Sequence, residues 1–393
     1  MSTDWLHTHC PGACALIDEA EGLIRVSPDA PAGVGGNHWF RFLVGVGATT
    51  AARQVHLCWP QDQPGTDAAY GGNHNVATVL DRCCFLDHGD GRWRRIENVA
   101  VDGQQALVTV PAGGDGRRLA VGMPVTAIDL HRLLDLVQDS PLADLRRIGH
   151  ASRGSPLWGI TIAEGDQAIG TIVIQALQHA SEWAGLRDME HLIRHLLTAA
   201  GAPLRRRWRW LCYPATNADG LYMGWRGDPM VVDGRNPNRD WGTFALPETR
   251  AVADDILDQL ASGPPLAHAL DLHMGWNWRD DPGSAVGVCT PATEPGALPQ
   301  PVRDWHARCA TMLCRDAGFT RHQWPVHQVD RPTFPGWLYR ETGLHGQTLE
   351  ISRHLWPEGD HFVPPDQTRE EALGPALAST LDAFLQAHPW AQA

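Results

Sequence analysis

The 393-residue sequence contains no lysine; all 32 of its basic residues are arginine. No lysine is therefore available as a nucleophile or Schiff-base former. Positive charge is also in short supply: 45 acidic residues leave a formal net charge of −13. That balance argues against a phosphate-binding surface, and nucleic acid is not an expected partner. No uninterrupted apolar run reaches the roughly 20 residues that span a bilayer, so no membrane partner is expected either. The opening stretch, MSTDWLHTHCPGACALIDEAEG, carries acids and lacks the basic-then-apolar order of a secretory signal. The nine cysteines are an odd number without a CxxC pair, and vicinal Cys83-Cys84 would be strained as a disulfide. Reduced thiols in a cytoplasmic protein are the expectation.

What is present is an ordinary globular balance, 43% hydrophobic and 20% charged, in a chain too long for one core. Two domains are expected, over residues 1–124 and 125–393. In the first, GLIRVSP, NHWFRFLVGVG, ARQVHLCW, RWRRIENVAVDG and QALVTVPAG alternate or carry β-branched runs, with turn residues between them. Short strands at this spacing predict a small antiparallel β-sandwich. This region has no chemical cluster; His7, His9 and Cys10 read as a frayed polar terminus.

The pattern changes at TAIDLHRLLDLVQDSPLADLRRIG, where Leu130, Leu133, Leu134 and Val137 recur at helical spacing. Strands and helices then alternate. LWGITIA, TIVIQALQ, RWRWLCYPATN, LAHALDLHMGW and GQTLEIS read as strands. EWAGLRDMEHLIRHLLTAAG (closed by Gly201), PETRAVADDILDQLAS, PQPVRDWHARCATMLCRDAG and TREEALGPALASTLDAFLQAH read as helices. The prediction is an α/β fold with a mixed, largely parallel sheet flanked by helices. Sites in such sheets form beyond the carboxyl ends of strands. Four ends carry polar groups: His179 with Glu182 one turn on, Asn217-Ala218-Asp219-Gly220, His273, and Glu350. Zinc catalysis uses three protein ligands and an open position, and His179, Glu182 and His273 would make such a set. With 20 histidines in the chain, a His-x-x-Glu pair also arises by chance. His191 and His195 have metal spacing too, but sit mid-helix without a third ligand and read as a solvated or interface stripe. Glu350 stands inside an apolar strand, where a carboxylate is costly unless paired or functional.

The order of these segments resembles the zinc metallocarboxypeptidase family (M14), in particular the cytosolic branch that carries a β-sandwich before the catalytic domain. The resemblance runs from about residue 125 to the C-terminus, and more weakly through GGNHWFRFLV. LRRIGHASRGSPLWGITI is similar to the family's entry into its first strands, and QHASE to its His-x-x-Glu zinc motif. NADG stands where the family has Asn-Pro-Asp-Gly. WRGDPMVVDGRNPNRDW resembles the family's Arg segment followed by Asn-Arg and an aromatic. DLHMG is similar to the strand that delivers the last His, and LYRETGLHGQTLEIS to the stretch leading to the catalytic Glu.

The resemblance implies one zinc ion on His179, Glu182 and His273. Glu350 would be the general base, taking a proton from water and passing it to the leaving amine. Arg226 would stabilise the oxyanion, with Arg235 as a possible substitute in the same loop. Asn238 and Arg239 would bind the substrate's terminal carboxylate, and Tyr339 would close over the substrate. Trp276 and Trp278 could line the pocket or pack.

The chain also departs from the family. Asn236 stands where the family has an Asp that orients a zinc-bound His, HMGWNW replaces the usual residues around the last His, and the segment from Tyr339 to Glu350 is short. The implied activity is hydrolysis of the amide bond of a C-terminal or side-chain-linked amino acid with a free carboxylate. Alternatives are a zinc amidohydrolase acting on N-acyl amino acids or cell-wall peptides, and a catalytically silent peptide-binding homologue. The expected partner is a peptide or acyl-amino-acid substrate, with homo-oligomerisation through the N-terminal domain as a guess from architecture.

Overall fold

The computed structural model describes residues 5–7, 16–20, 23–27, 43–58, 84–97, 99–102, 105–180, 182–223, 232, 234–274, 286–288, 290–291, 298–319, 325–327, 332–351, 356–358, 361–363 and 367–390. Among the described residues ten strands precede the first helix: β1 (Leu6–His7), β2 (Leu16–Ala20), β3 (Leu23–Ser27), β4 (Leu43–Val46), β5 (Arg53–Cys58), β6 (Cys84–Asp87), β7 (Trp93–Arg95), β8 (Val99–Asp102), β9 (Gln105–Val110) and β10 (Arg117–Val121). They form two five-stranded sheets, ordered β1-β4-β10-β6-β7 and β2-β3-β5-β9-β8. Alternation along β9 buries Ala106, Val108 and Val110, and these meet Leu43, Val44, Phe85 and Leu119 of the other sheet in one apolar cluster. All the pairings but one, β3 with β5, are antiparallel. RWRRIENVAVDG, expected as one strand, is two: β7 pairs with β6 and β8 with β9, so the chain changes sheets after Ile96.

Beyond α1 (Ala127–Gln138) come β11 (Ala143–His150), β12 (Pro156–Ile162), β13 (Gly170–Ala176), α2 (Trp183–Leu196), α3 (Ala202–Arg207), β14 (Trp208–Tyr213), α4 (Ala218–Tyr222), α5 (Pro247–Ala261) and β15 (Leu266–His273). They are followed by β16 (Val286–Val288), β17 (Thr290–Pro291), α6 (Gln300–Asp316), β18 (Pro325–His327), α7 (Phe334–Thr342), β19 (Gln347–Ile351) and, towards the end of the chain, α8 (Gln367–Ala387). The main sheet has seven strands in the order β11-β12-β14-β13-β15-β19-β16. Its four middle strands are parallel and its margins antiparallel, the mixed α/β sheet that the alternation predicts.

Every residue of β13 is buried, because helices cover both faces. Ile172 and Ile174 face the cluster that contains α1, α2, α6 and α8 residues, while Val173 faces α5 and α7. Burying each such side chain contributes roughly 1.5–3 kcal/mol. The helix expected to close at Gly201 ends at Leu196. Arg205 donates to the Leu196 carbonyl at 2.9 Å, and Gly201 instead starts α3 as its N-cap. The helical stretch expected from residue 126 through 149 stops at Gln138, and Ala143–His150 is instead a strand paired with β12; α4 and α7 carry elements that apolar spacing alone did not reveal.

The two parts meet through a buried ionic link. Arg118 of β10 donates to Asp87 of β6 at 2.8 Å and to Asp129 of α1 at 2.9 Å, and its guanidinium lies over the Trp93 ring. Asp129 also closes a capping box with Thr126 at the start of α1.

Candidate metal centre

β13 and β15 are parallel neighbours, and the chain leaves them towards the same edge of the sheet. After β13 the backbone turns at Leu177 with φ 57°, a left-handed conformation that costs an ordinary residue about 1–2 kcal/mol. The Thr216 amide donates to the Ala176 carbonyl at 3.1 Å and the Asn217 amide to the Leu177 carbonyl at 2.8 Å, which hold that turn. It carries His179 to the mouth of the sheet and starts α2 immediately after Glu182. Two glycines permit the fit. A Cβ on Gly220, in the NADG segment, would run into the Cβ of Ala180. One on Gly185 of α2 would sit 2.6 Å from the Leu272 carbonyl oxygen, so α2 lies directly on the strand that ends at His273.

His179, Glu182 and His273 consequently converge, with one ligand atom from each lying within 4.8 Å of the others. His179 Nδ1 is 2.8 Å from Glu182 Oε1, and His273 Nδ1 is 2.6 Å from Oε2. The far nitrogens point away from this focus. Nε2 of His179 lies 3.1 Å from Asn236 Oδ1, and Nε2 of His273 lies 3.1 Å from Asp271 Oδ2. Both acceptors require a proton on Nε2, which leaves the Nδ1 lone pairs facing Glu182. Two nitrogen donors and one carboxylate with outer partners on both rings fit a zinc ion in a three-ligand catalytic site. Asn236 thus orients His179 with a neutral carbonyl oxygen.

The outer partners are themselves fastened. Asp271 is fully buried and accepts from Gln175 Nε2 at 3.0 Å and Gln178 Nε2 at 2.9 Å. Gln178 Oε1 accepts from the indole of Trp241 at 2.7 Å. None of these four residues stands out in the sequence as a site candidate. The signal for Asp271 was there: in a strand, residues two apart share a face, so Asp271-Leu272-His273 puts a carboxylate beside the imidazole. Gln178 and Trp241 reach the network only through the fold.

Glu350 is in register with His273 across the β15–β19 pairing. The residue is half-buried, while its Oε2 is enclosed without a hydrogen-bond partner among the described residues. Its carboxyl is pushed up to about 7, chiefly by burial, with His273 opposing and Glu182 and Asp271 adding. Burial also works against the Glu182 charge, but the two imidazoles outweigh it and hold that carboxyl well below its usual range. His273 is burdened by burial as well, yet Asp271 and Glu182 raise it well above the ordinary imidazole value. The pocket is therefore built to hold positive charge.

Asn238 is buried and places Nδ2 3.4 Å from His273 Nε2, with its Oδ1 unpartnered among the described residues. Arg239 follows it, exposed, and donates to the Asn238 carbonyl at 2.5 Å. Tyr339 is half-buried on α7, its ring 6.2 Å from that of His345. Arg235 is exposed and pairs through its backbone with Val232. Arg226, Trp276 and Trp278 lie outside the described residues. The NADG segment is a scaffold: Asn217 caps α4 by accepting from the Gly220 amide at 2.9 Å, and Asp219 accepts from the amides of Arg153 and Ser155.

Comparison with known proteins agrees with this geometry. Residues 130–275 match the family Peptidase M14, described as zinc carboxypeptidase. A crystal structure of a metallo-carboxypeptidase from Burkholderia cenocepacia superposes with a TM-score of 0.73 at 18% identity, over 97% of this chain and 99% of that one. A metallo-carboxypeptidase from Pseudomonas aeruginosa, in complex with (2-guanidinoethylmercapto)succinic acid, gives a TM-score of 0.72 at 16% identity, over 97% and 99%. At these identities the likeness is one of fold. A search of curated proteins gives no match.

Proposed function

We propose that this chain is a zinc metallocarboxypeptidase that releases a C-terminal or side-chain-linked amino acid bearing a free carboxylate from a peptide; support comes from the match of residues 130–275 to the zinc carboxypeptidase family and from the His179–Glu182–His273 set. The carrying observation is the convergence of two Nδ1 atoms and a carboxylate beside Glu350, one strand over, whose Oε2 has no hydrogen-bond partner among the described residues. Zinc, when bound by these three residues, supplies Lewis acidity toward a carbonyl and a water.

The remaining work falls to the chain. Glu350, with a carboxyl raised into the neutral range, accepts the proton of the attacking water and hands it to the departing amine. Asn238, which lies 3.4 Å from His273 Nε2, and Arg239 next to it in the chain take the terminal carboxylate; the guanidinium fork matches it with two parallel hydrogen bonds. The succinic-acid compound held by the Pseudomonas aeruginosa protein carries carboxylates as well, which supports an anionic substrate end. Arg226 stabilises the oxyanion and Tyr339 closes over the substrate.

We place the chain in the cytosolic branch of the family, with residues 1–124 as a separate β-sandwich and 125–393 as the catalytic domain. Support comes from the single apolar cluster that the two N-terminal sheets share and from five described cysteines that are all free thiols. Among the described residues no helix is long and apolar enough to cross a membrane.

Peptides differing only in their last residue, tested with and without zinc against wild type and Glu350→Gln, examine this reading. The variant should keep its zinc and lose on the order of 10²–10⁴-fold in turnover. Equal turnover by both proteins would remove Glu350 from the mechanism.

A further inference from the structure

One short segment, residues 236–241, grips both zinc-binding imidazoles from behind, and it does so unequally. Asn236 lies against His179 Nε2 with a neutral oxygen at 3.1 Å. On the other arm His273 Nε2 meets the Asp271 carboxylate, also at 3.1 Å, with the amide nitrogens of Gln178 and Asn238 farther off at 3.3 and 3.4 Å. Asp271 is set by Gln178, and Gln178 by the Trp241 indole at 2.7 Å. An anionic acceptor raises the basicity of the imidazole it orients more than an amide oxygen does. The charge that the chain forgoes at Asn236 is thus supplied on the His273 side, from within β15.

We propose that Asp271 is the positioning residue on which zinc affinity chiefly depends, and that Trp241 governs it through Gln178. The Trp241 indole donates to Gln178 and to none of the three ligands. Its ring is fully buried, packed on Phe334 and Trp337 with centroids 4.9 and 5.2 Å away, so the indole N–H has one fixed direction. Gln178 is completely buried, and its Oε1 is occupied by that N–H. The amide is therefore oriented with Nε2 toward Asp271, and cannot flip without leaving the Trp241 donor and the carboxylate both unmatched. Asp271 is in turn held in the one pose that faces His273 Nε2. Asn238, between Asn236 and Trp241, contacts the same imidazole nitrogen at 3.4 Å. The seating of the 236–241 segment and the readiness of the metal site are one event.

The inference rests on the zinc site and not on the catalytic roles assigned above. Metal-free protein is titrated with zinc against a chromophoric chelator, and thermal midpoints are taken without metal. Asp271→Asn should weaken zinc binding about 10–100-fold. Trp241→Phe keeps the ring packing but removes the N–H, and should weaken it several-fold. Trp337→Phe trims the same aromatic stack without touching the relay; it should lower the metal-free midpoint comparably and leave zinc affinity within twofold of wild type. Equal loss of affinity in Trp241→Phe and Trp337→Phe would reduce the relay to packing and overturn it. An Asp271→Asn protein that binds zinc as wild type does would overturn the positioning role. Wild-type protein that takes up no zinc would instead refute the metal centre itself.

Discussion

Two parts of this molecule bury carboxylates, and they compensate them by different means. At the junction of the N-terminal sheets with α1, Asp87 and Asp129 share Arg118, and each faces a guanidinium nitrogen within 3 Å. At the carboxyl ends of β13, β15 and β19, the acids Glu182, Asp271 and Glu350 surround two imidazoles. Among the described residues their hydrogen bonds come from imidazoles, glutamine amides and the Met274 amide, and none from a guanidinium. A covalently attached cation makes a permanent joint. A site with surplus negative charge and no attached cation is left to bind one from solution. That difference, more than burial, separates the structural cluster from the functional one.

The sharpest way to break the contrast is to remove a ligand. His273→Ala should reduce zinc content from one ion per chain to near none at micromolar zinc, and turnover should fall to that of chelator-treated wild type. Metal analysis by atomic absorption and an amino-acid release assay check both.

The corresponding cut at the junction is Arg118→Met, which leaves two buried acids without their cation. It should destabilise the protein by about 3–5 kcal/mol, read by denaturant unfolding, while zinc affinity of the folded fraction is unchanged. Loss of zinc binding in that variant would mean that the two clusters are coupled.

The smallest effect is one of pH. Burial works against the Asp129 charge, but Arg118 and Arg187 outweigh it and hold its carboxyl below the usual range. A depressed carboxyl contributes stability above its unfolded value of about 3.9, and loses it as pH falls through the folded value. The deficit of Arg118→Met relative to wild type should therefore be full at pH 6–7 and shrink below about pH 4. A deficit that is constant across this range would show that the Asp129 charge gives nothing to folding.

Much of the site was legible from order along the chain. His179, Glu182 and His273 sit at ends of strands that apolar runs and flanking helices mark clearly, and Glu350 stands out because a carboxylate interrupts a buried strand. What could not be read were contacts between residues distant in sequence and ordinary in type. Trp241 and Gln178 are 63 positions apart, and nothing about a tryptophan or a glutamine announces a partner. The bounds of helices were also less legible where side chains from elsewhere decided them. Gly201 has the residue type of a helix stop, yet Arg205 reaching back to Leu196 ends α2 a turn earlier.

Periodicity and residue chemistry by themselves determined the α/β alternation, the strand ends that carry polar groups, and the residue types able to bind zinc. These follow from local rules: a strand buried on both faces must be apolar throughout, and a departure from that is visible in one dimension. Tertiary structure decided which nitrogen of each imidazole faces Glu182 and which acceptor holds the ring there. Those choices depend on hydrogen-bond directions between segments that only the packed sheet brings within about 3 Å of each other.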